Sequence, residues 1–170
     1  PTPSSMSTPT ITPTVIKKSI VLLEVPFTAQ APFGEWQDPR QQDACEEASV
    51  LMSVRWVRNE PIESKEKARQ ELLAISKYQE DTFGEYRDTS AKDTADRLIK
   101  GYYKYANFIV QNITSADDII TELDRGNLII VPLNGQVLGN MSFTQPGPER
   151  HMLVVKGYNR QTQQFITNDP

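Results

Sequence analysis

The sequence predicts an α+β fold in which N-terminal helices pack on a C-terminal antiparallel sheet. Two patterns carry that expectation: apolar positions at helical spacing behind capping residues fill the middle of the chain, and short apolar runs bounded by turn residues fill its last third. The order, helices first and strands after, sets this class apart from folds that alternate strand and helix.

Residues 1–18 read as a Pro/Thr/Ser-rich linker and residues 19–170 as the folded domain. The linker composition buries too little apolar surface to offset ordering entropy. Such a tract suits a tether to an upstream anchor, so the expected location is extracellular or at the cell surface. Residues 20–25 read as a strand ended by Pro26, and residues 27–42, broken by Pro32, Gly34 and Pro39, as a loop with Trp36 packed beneath it. The next helix has Asp43 as its expected N-cap, Glu46 and Glu47 in its first turn, and Ala48, Val50, Leu51, Met52 and Val54 as its apolar face. Ser64 caps a second helix to about Tyr78 that turns Leu72, Leu73 and Ile75 inward and a charged face outward. A turn follows at Gly84. Ser90 and Asp93 open a third helix carrying Leu98, Ile99, Tyr102 and Tyr103. Residues 108–111 read as a short strand, and the Ser115/Asp118 pair opens a fourth helix that stops at Gly126. The last third reads as a strand at 128–131, a polar loop at 134–148, and strands at 152–157 and 164–167.

Composition narrows the function. The 170 residues suffice for one domain with a real core, and the net charge of -4 offers no basic face to displace phosphate counterions, which argues against a nucleic-acid partner. A peptide, including a cell-wall peptide, is the expected substrate class, and a monomer the expected state. No run approaches the roughly 20 apolar residues of a membrane span, so no direct membrane insertion is expected. One cysteine forms no internal disulfide, and with one histidine the usual zinc sets cannot be assembled; neither a metal nor an organic cofactor is expected. Asn112-Ile-Thr and Asn140-Met-Ser match the glycosylation sequon by letter alone.

The chemistry falls on that one cysteine and one histidine. A lone cysteine in a helix is more often a small buried apolar residue than a nucleophile. Cys45, however, occupies a first helical turn, where main-chain amides and the helix dipole favour the nucleophilic thiolate. Glu46 and Glu47 oppose that effect, so a basic partner is required. His151 stands where a loop gives way to the apolar run 152–155. If the chain then makes a hairpin, Asn168 and Asp169 return beside His151, and one of them can orient the ring, a carboxylate by accepting the Nδ1 proton. Side chains alternate along a strand, so only one of the two reaches the ring, and spacing does not choose between them.

Residues 25–36 (Val-Pro-Phe-Thr-Ala-Gln-Ala-Pro-Phe-Gly-Glu-Trp), Ala44-Cys45-Glu-Glu-Ala-Ser49, Gly147-Pro-Glu-Arg-His151-Met-Leu-Val-Val, Gly157-Tyr158 and Phe165-Ile-Thr-Asn-Asp169-Pro170 stand in one order along the chain. Together they resemble the bacterial cysteine peptidase-like domains of the bacteriocin-processing, C-39-like type, within the papain-like clan. The resemblance runs from about Val25 to the last residue. It implies a papain-like fold and a thiol hydrolase that cleaves peptide or amide bonds. In it Cys45 is the nucleophile, His151 the base and acid, Asp169 the orienting carboxylate and Gln30 the oxyanion-hole side chain. Gln41 and Gln42, nearer to Cys45 in sequence, are alternatives to Gln30. Many relatives have glycine where this chain has Glu46, and relatives continue through a turn and a further strand beyond Pro170. A non-catalytic domain that binds peptide or cell-wall material on the same fold, and an acyl-transferase with the same residues, are the alternative functions.

Overall fold

The structure, a computed structural model, describes residues 18–170; the linker expected over 1–18 falls, but for Lys18, outside the described residues. Within them lie β1 (Ile20–Leu22), α1 (Pro39–Gln42), α2 (Cys45–Val57), α3 (Lys65–Phe83), α4 (Ala91–Asp93) running into a π-helix (Thr94–Tyr102), α5 (Ala116–Asp124), β2 (Ile129–Leu133), α6 (Gly135–Leu138), β3 (His151–Asn159) and β4 (Gln164–Asn168). The architecture is α+β, as the pattern predicts.

The long strand β3 organises the antiparallel sheet. β4 pairs along one of its edges, while β2 and β1 follow one another along the other, at residues 151–155 and 157–159 of β3. Gly157 makes the β1 pairing possible, because a Cβ there would stand 2.4 Å from the Val21 carbonyl oxygen. Alternation divides β3 between two layers. Val154 packs with Met52 of α2 and with Val25, whereas Leu153 and Val155 pack with Leu123 of α5.

Helix α2 therefore lies between two cores. Its Ala48, Val50, Leu51 and Val54 join Ala68, Leu72 and Ile75 of α3 and Leu98 of the π-helix, while Met52 faces the sheet. Coverage on both sides explains why the first eight residues of α2, the polar Glu46, Glu47 and Ser49 included, are all buried. The expected single apolar face is thus replaced by a helix enclosed nearly all round.

Local capping fixes the helix starts. Ser64 accepts the amide of Lys67, Ser90 accepts that of Asp93, and the Asp118 carboxylate accepts the amides of Thr114 and Ser115 at 2.8 and 3.0 Å. Helix α3 runs on to Phe83 before Gly84 ends it in a left-handed conformation (φ 76°).

Several expectations need correction. Asp43 does not cap α2: Asp38 and Pro39 start the one-turn helix α1, Asp43 closes that helix, and Ala44 stands at the N-cap of α2 with no side-chain hydrogen bond. The first strand stops at Leu22, and residues 108–111 form no strand; Ile109 is 72% exposed, with no ladder partner to hold it extended. Trp36 is half exposed instead of packed under its loop. The third helix is mostly π-helical, and Asn134 starts a short helix inside the expected 134–148 loop.

Candidate active site

Cys45 is the first residue of α2, and His151 the first of β3. One turn further along α2, Ser49 Oγ donates to the Met152 carbonyl oxygen at 3.2 Å, which ties the start of the helix to the start of the strand. The Met152 amide faces the Cys45 sulfur and favours its thiolate. The hairpin of β3 and β4 then brings back the end of the chain, with Asn168 opposite Val154.

The next residue, Asp169, reaches the imidazole: Oδ1 lies 2.6 Å from His151 Nε2. Asn168 turns the other way and donates to the carbonyl oxygens of Val25 and Pro26 at 3.3 and 3.2 Å, anchoring the segment that leads into the 27–38 loop. The alternation that left two candidates open thus gives each its own task. The contact also corrects one detail, for the carboxylate meets Nε2 and not Nδ1. Nδ1 makes no hydrogen bond among the described residues.

Two supports come from the 134–150 loop. Asn140 Nδ2 donates to Asp169 Oδ2 at 2.7 Å, so the carboxylate is held on both oxygens. The Phe143 ring meets the imidazole edge-on, with centroids 5.2 Å apart. Gly135 lets this loop close, since a Cβ there would lie 2.8 Å from the Pro148 carbonyl oxygen. The sequence offered Asn140 only as part of a sequon, and nothing local marks Phe143.

The nucleophile candidate is not exposed. Cys45 is 8% and His151 5% accessible. The nearest polar partner of the thiol is its neighbour: Sγ lies 3.0 Å from Glu46 Oε2, within hydrogen-bond distance for sulfur. Burial, then the adjacent Glu46 charge, push the Cys45 thiol well above its usual range. Burial also raises Glu46, while the Cys45 hydrogen bond and the nearby His151 pull it down.

Gln30, buried at 8% exposure, directs its amide nitrogen at the backbone carbonyl oxygens of Gln41 and Gln42, at 3.1 and 2.6 Å. It ties the 27–38 loop to the end of α1, and both its protons are engaged there. Gln41 is equally buried in that turn and its Oε1 has no partner, whereas Gln42 is exposed.

The aromatic residues Phe27, Phe33 and Trp36 are more than half exposed on the segment leading to α1. Glu35 reaches Arg69 of α3 at 3.3 Å, and the Arg69 guanidinium lies over the Phe33 ring at 5.5 Å; the loop is thereby held down. A cavity of about 1010 Å³ opens elsewhere, between the 105–113 segment, the end of α2 and β2. It shares Met152 with the site but includes neither Cys45 nor His151.

No cluster of three or more His, Cys, Asp or Glu that could hold a metal occurs among the described residues, and no helix there is long and apolar enough to cross a membrane. Comparison with curated proteins and with solved structures returns no match. The family model described as Peptidase_C39 like family matches residues 22–170, a span that begins at the last residue of β1 and takes in Cys45, His151 and Asp169. That family implies the papain-like arrangement, with a helix start set against the mouth of an antiparallel sheet, and the chain belongs to the Peptidase_C39 like family.

Proposed function

We propose that this domain is a thiol hydrolase that cleaves peptide or amide bonds through Cys45, His151 and Asp169. One observation carries the reading: the carboxylate of Asp169 holds His151 by Nε2 at the strand mouth that Ser49 ties to the start of α2. A ring held in this way keeps its proton on Nε2 and offers Nδ1 as base, which is the orienting role of the third residue in a hydrolytic triad. His151 takes the thiol proton at Nδ1, and the Cys45 sulfur attacks the scissile carbonyl. The imidazolium then protonates the departing amine, leaving an acyl thioester on Cys45. Water, deprotonated by the same nitrogen, releases the acid and restores the thiol.

The tetrahedral oxyanion would lie over the start of α2, where the Cys45 main-chain amide can donate. Gln30 joins it by releasing one of its two carbonyl contacts. The half-exposed Phe27, Phe33 and Trp36 supply apolar surface for a peptide beside the site. An extracellular peptide or cell-wall peptide fits this surface, and an acyl-transferase differs only in the amine that replaces water.

One alternative has its own support. The thiol bonded to Glu46, and the Gln30 amide bonded to two carbonyls, also suit a domain that binds peptide without cutting it. Incubation with a mixed peptide library, read by mass spectrometry, separates the two. New termini that vanish in Cys45→Ala support the hydrolase; peptide retained at equal affinity by both proteins, with no cleavage, supports the binding domain.

A further inference from the structure

We propose that Glu46 is a positioning residue that gates the nucleophile, its carboxyl donating a hydrogen bond to the Cys45 thiolate when protonated and capturing the thiol proton's hydrogen bond when ionised. The inference rests on the reading of Cys45 as nucleophile and His151 as its base, and adds a regulation of that site.

The geometry singles out this carboxyl. Glu46 is 4% exposed, on the first turn of α2, and its Oε2 stands 3.0 Å from the sulfur. No lysine or arginine pairs with it among the described residues. The titratable groups around it are Cys45 and Glu47 on its own helix, His151 at the start of β3 and Asp88 on the segment after α3; Asp169 lies beyond the imidazole. Arg150, beside His151 in sequence, is turned to Asp88 at 3.5 Å. A buried carboxyl with no lysine or arginine partner is disfavoured as an anion, and burial raises Glu46 although the nearby His151 works the other way.

The contact has two proton arrangements. With Glu46 neutral, its O–H points to sulfur and stabilises Cys45 as thiolate, the proton that left the sulfur residing on His151 Nδ1. With Glu46 ionised, the bond reverses: the thiol S–H donates to Oε2, and the negative charge beside it opposes thiolate formation. The reactive form is thus the one present on the acid side of the Glu46 titration. Glycine at this position would leave no such control.

Iodoacetamide labelling of Cys45, followed by intact mass between pH 4.5 and 8.5, tests the gate in the whole chain. Glu46→Gln presents an N–H to the sulfur at every pH and so imitates the neutral acid. At pH 5 it is expected to label within about twofold of the parent, and at pH 7.5 about tenfold faster, the change expected for one unit of thiol pKa. Glu46→Ala removes the charge without supplying a donor and should fall between them; it decides the matter if Glu46→Gln does not fold, as judged by circular dichroism. Superimposable profiles for parent and folded variants, or slower labelling of Glu46→Gln at pH 7.5, would overturn the proposal. His151→Ala reads the underlying pair separately: labelling as fast as the parent at pH 5 removes the Cys-His reading itself, whatever the Glu46 variants do.

Discussion

Raising the pH should destabilise this fold through Glu47, and replacing that residue by glutamine should remove much of the effect. Glu47 is fully buried on α2, with Oε1 accepting from Gln79 Nε2 at 2.8 Å and from Ser76 Oγ at 3.4 Å. Its Oε2 and the Gln79 Oε1 both lack partners. A proton on Oε2 answers both, since the acid O–H can then donate to Gln79 Oε1 and close a ring of two hydrogen bonds between acid and amide. Burial, then the neighbouring Glu46 charge, raise Glu47 well above the ordinary carboxylate range. The unfolded chain releases this proton near the ordinary glutamate value of 4.5, the folded one only at higher pH. Between those two values the folded state binds one more proton, so stability is greatest below the unfolded value and falls by about 1.4 kcal/mol per pH unit as the pH rises. From pH 5.5 to 7.5 the loss is at most about 2.7 kcal/mol for one such group, and it ends where the pH passes the folded value. Glu46 adds a slope of the same sign in parent and variant alike. Urea denaturation at pH 5.5, 6.5 and 7.5 should therefore show the Glu47→Gln slope flatter than the parent's, by at most about 1.4 kcal/mol per unit, with the variant more stable at pH 7.5. Equal slopes in the two proteins would refute the neutral acid.

Other substitutions probe single contacts. Asn140→Ala frees one oxygen of Asp169 and should lower turnover about tenfold, the loss of one hydrogen bond to a charged group, while thermal stability changes little; unchanged turnover against a cleaved library peptide would count against the support. Asn168→Ala removes two bonds to the 25–26 backbone and should cost about 1–2 kcal/mol of stability in urea, with Cys45 labelling at pH 5 preserved. Gly157→Ala forces a methyl group against the Val21 carbonyl and should lower stability by about 1–3 kcal/mol; a thermal melt at the parent temperature would show that β1 yields freely.

What the sequence disclosed follows the range of the forces involved. Ser64, Ser90 and the Ser115/Asp118 pair announce helix starts because each cap bonds to amides within four residues. Asp43 misled for the same local reason. Asp38 followed by Pro39 is itself a start signal, and the helix it begins uses Asp43 as its end. The π-helix leaves no trace in the pattern, since it differs from an α-helix by one residue per hydrogen-bonded turn. Residues 108–111 carry a strand composition, yet a strand needs a ladder partner, which no local pattern supplies. At the site, strand alternation limited the orienting residue to Asn168 or Asp169, and the folded hairpin shows which one meets the ring. Asn140 stayed hidden because its contact with Asp169 crosses 29 residues of chain, and Phe143 because its contact with His151 depends on how the loop between them folds; Glu46 was visible as a charge beside the thiol, but its burial depends on elements far away in sequence.

Activation of Cys45 by His151 is read from the rate at which an alkylating agent modifies Cys45 at pH 5, in the parent and in His151→Ala. The parent is expected to react at least about tenfold faster, because the thiolate of the proposed pair exists there only as the partner of an imidazolium. Equal rates in two folded proteins would contradict it.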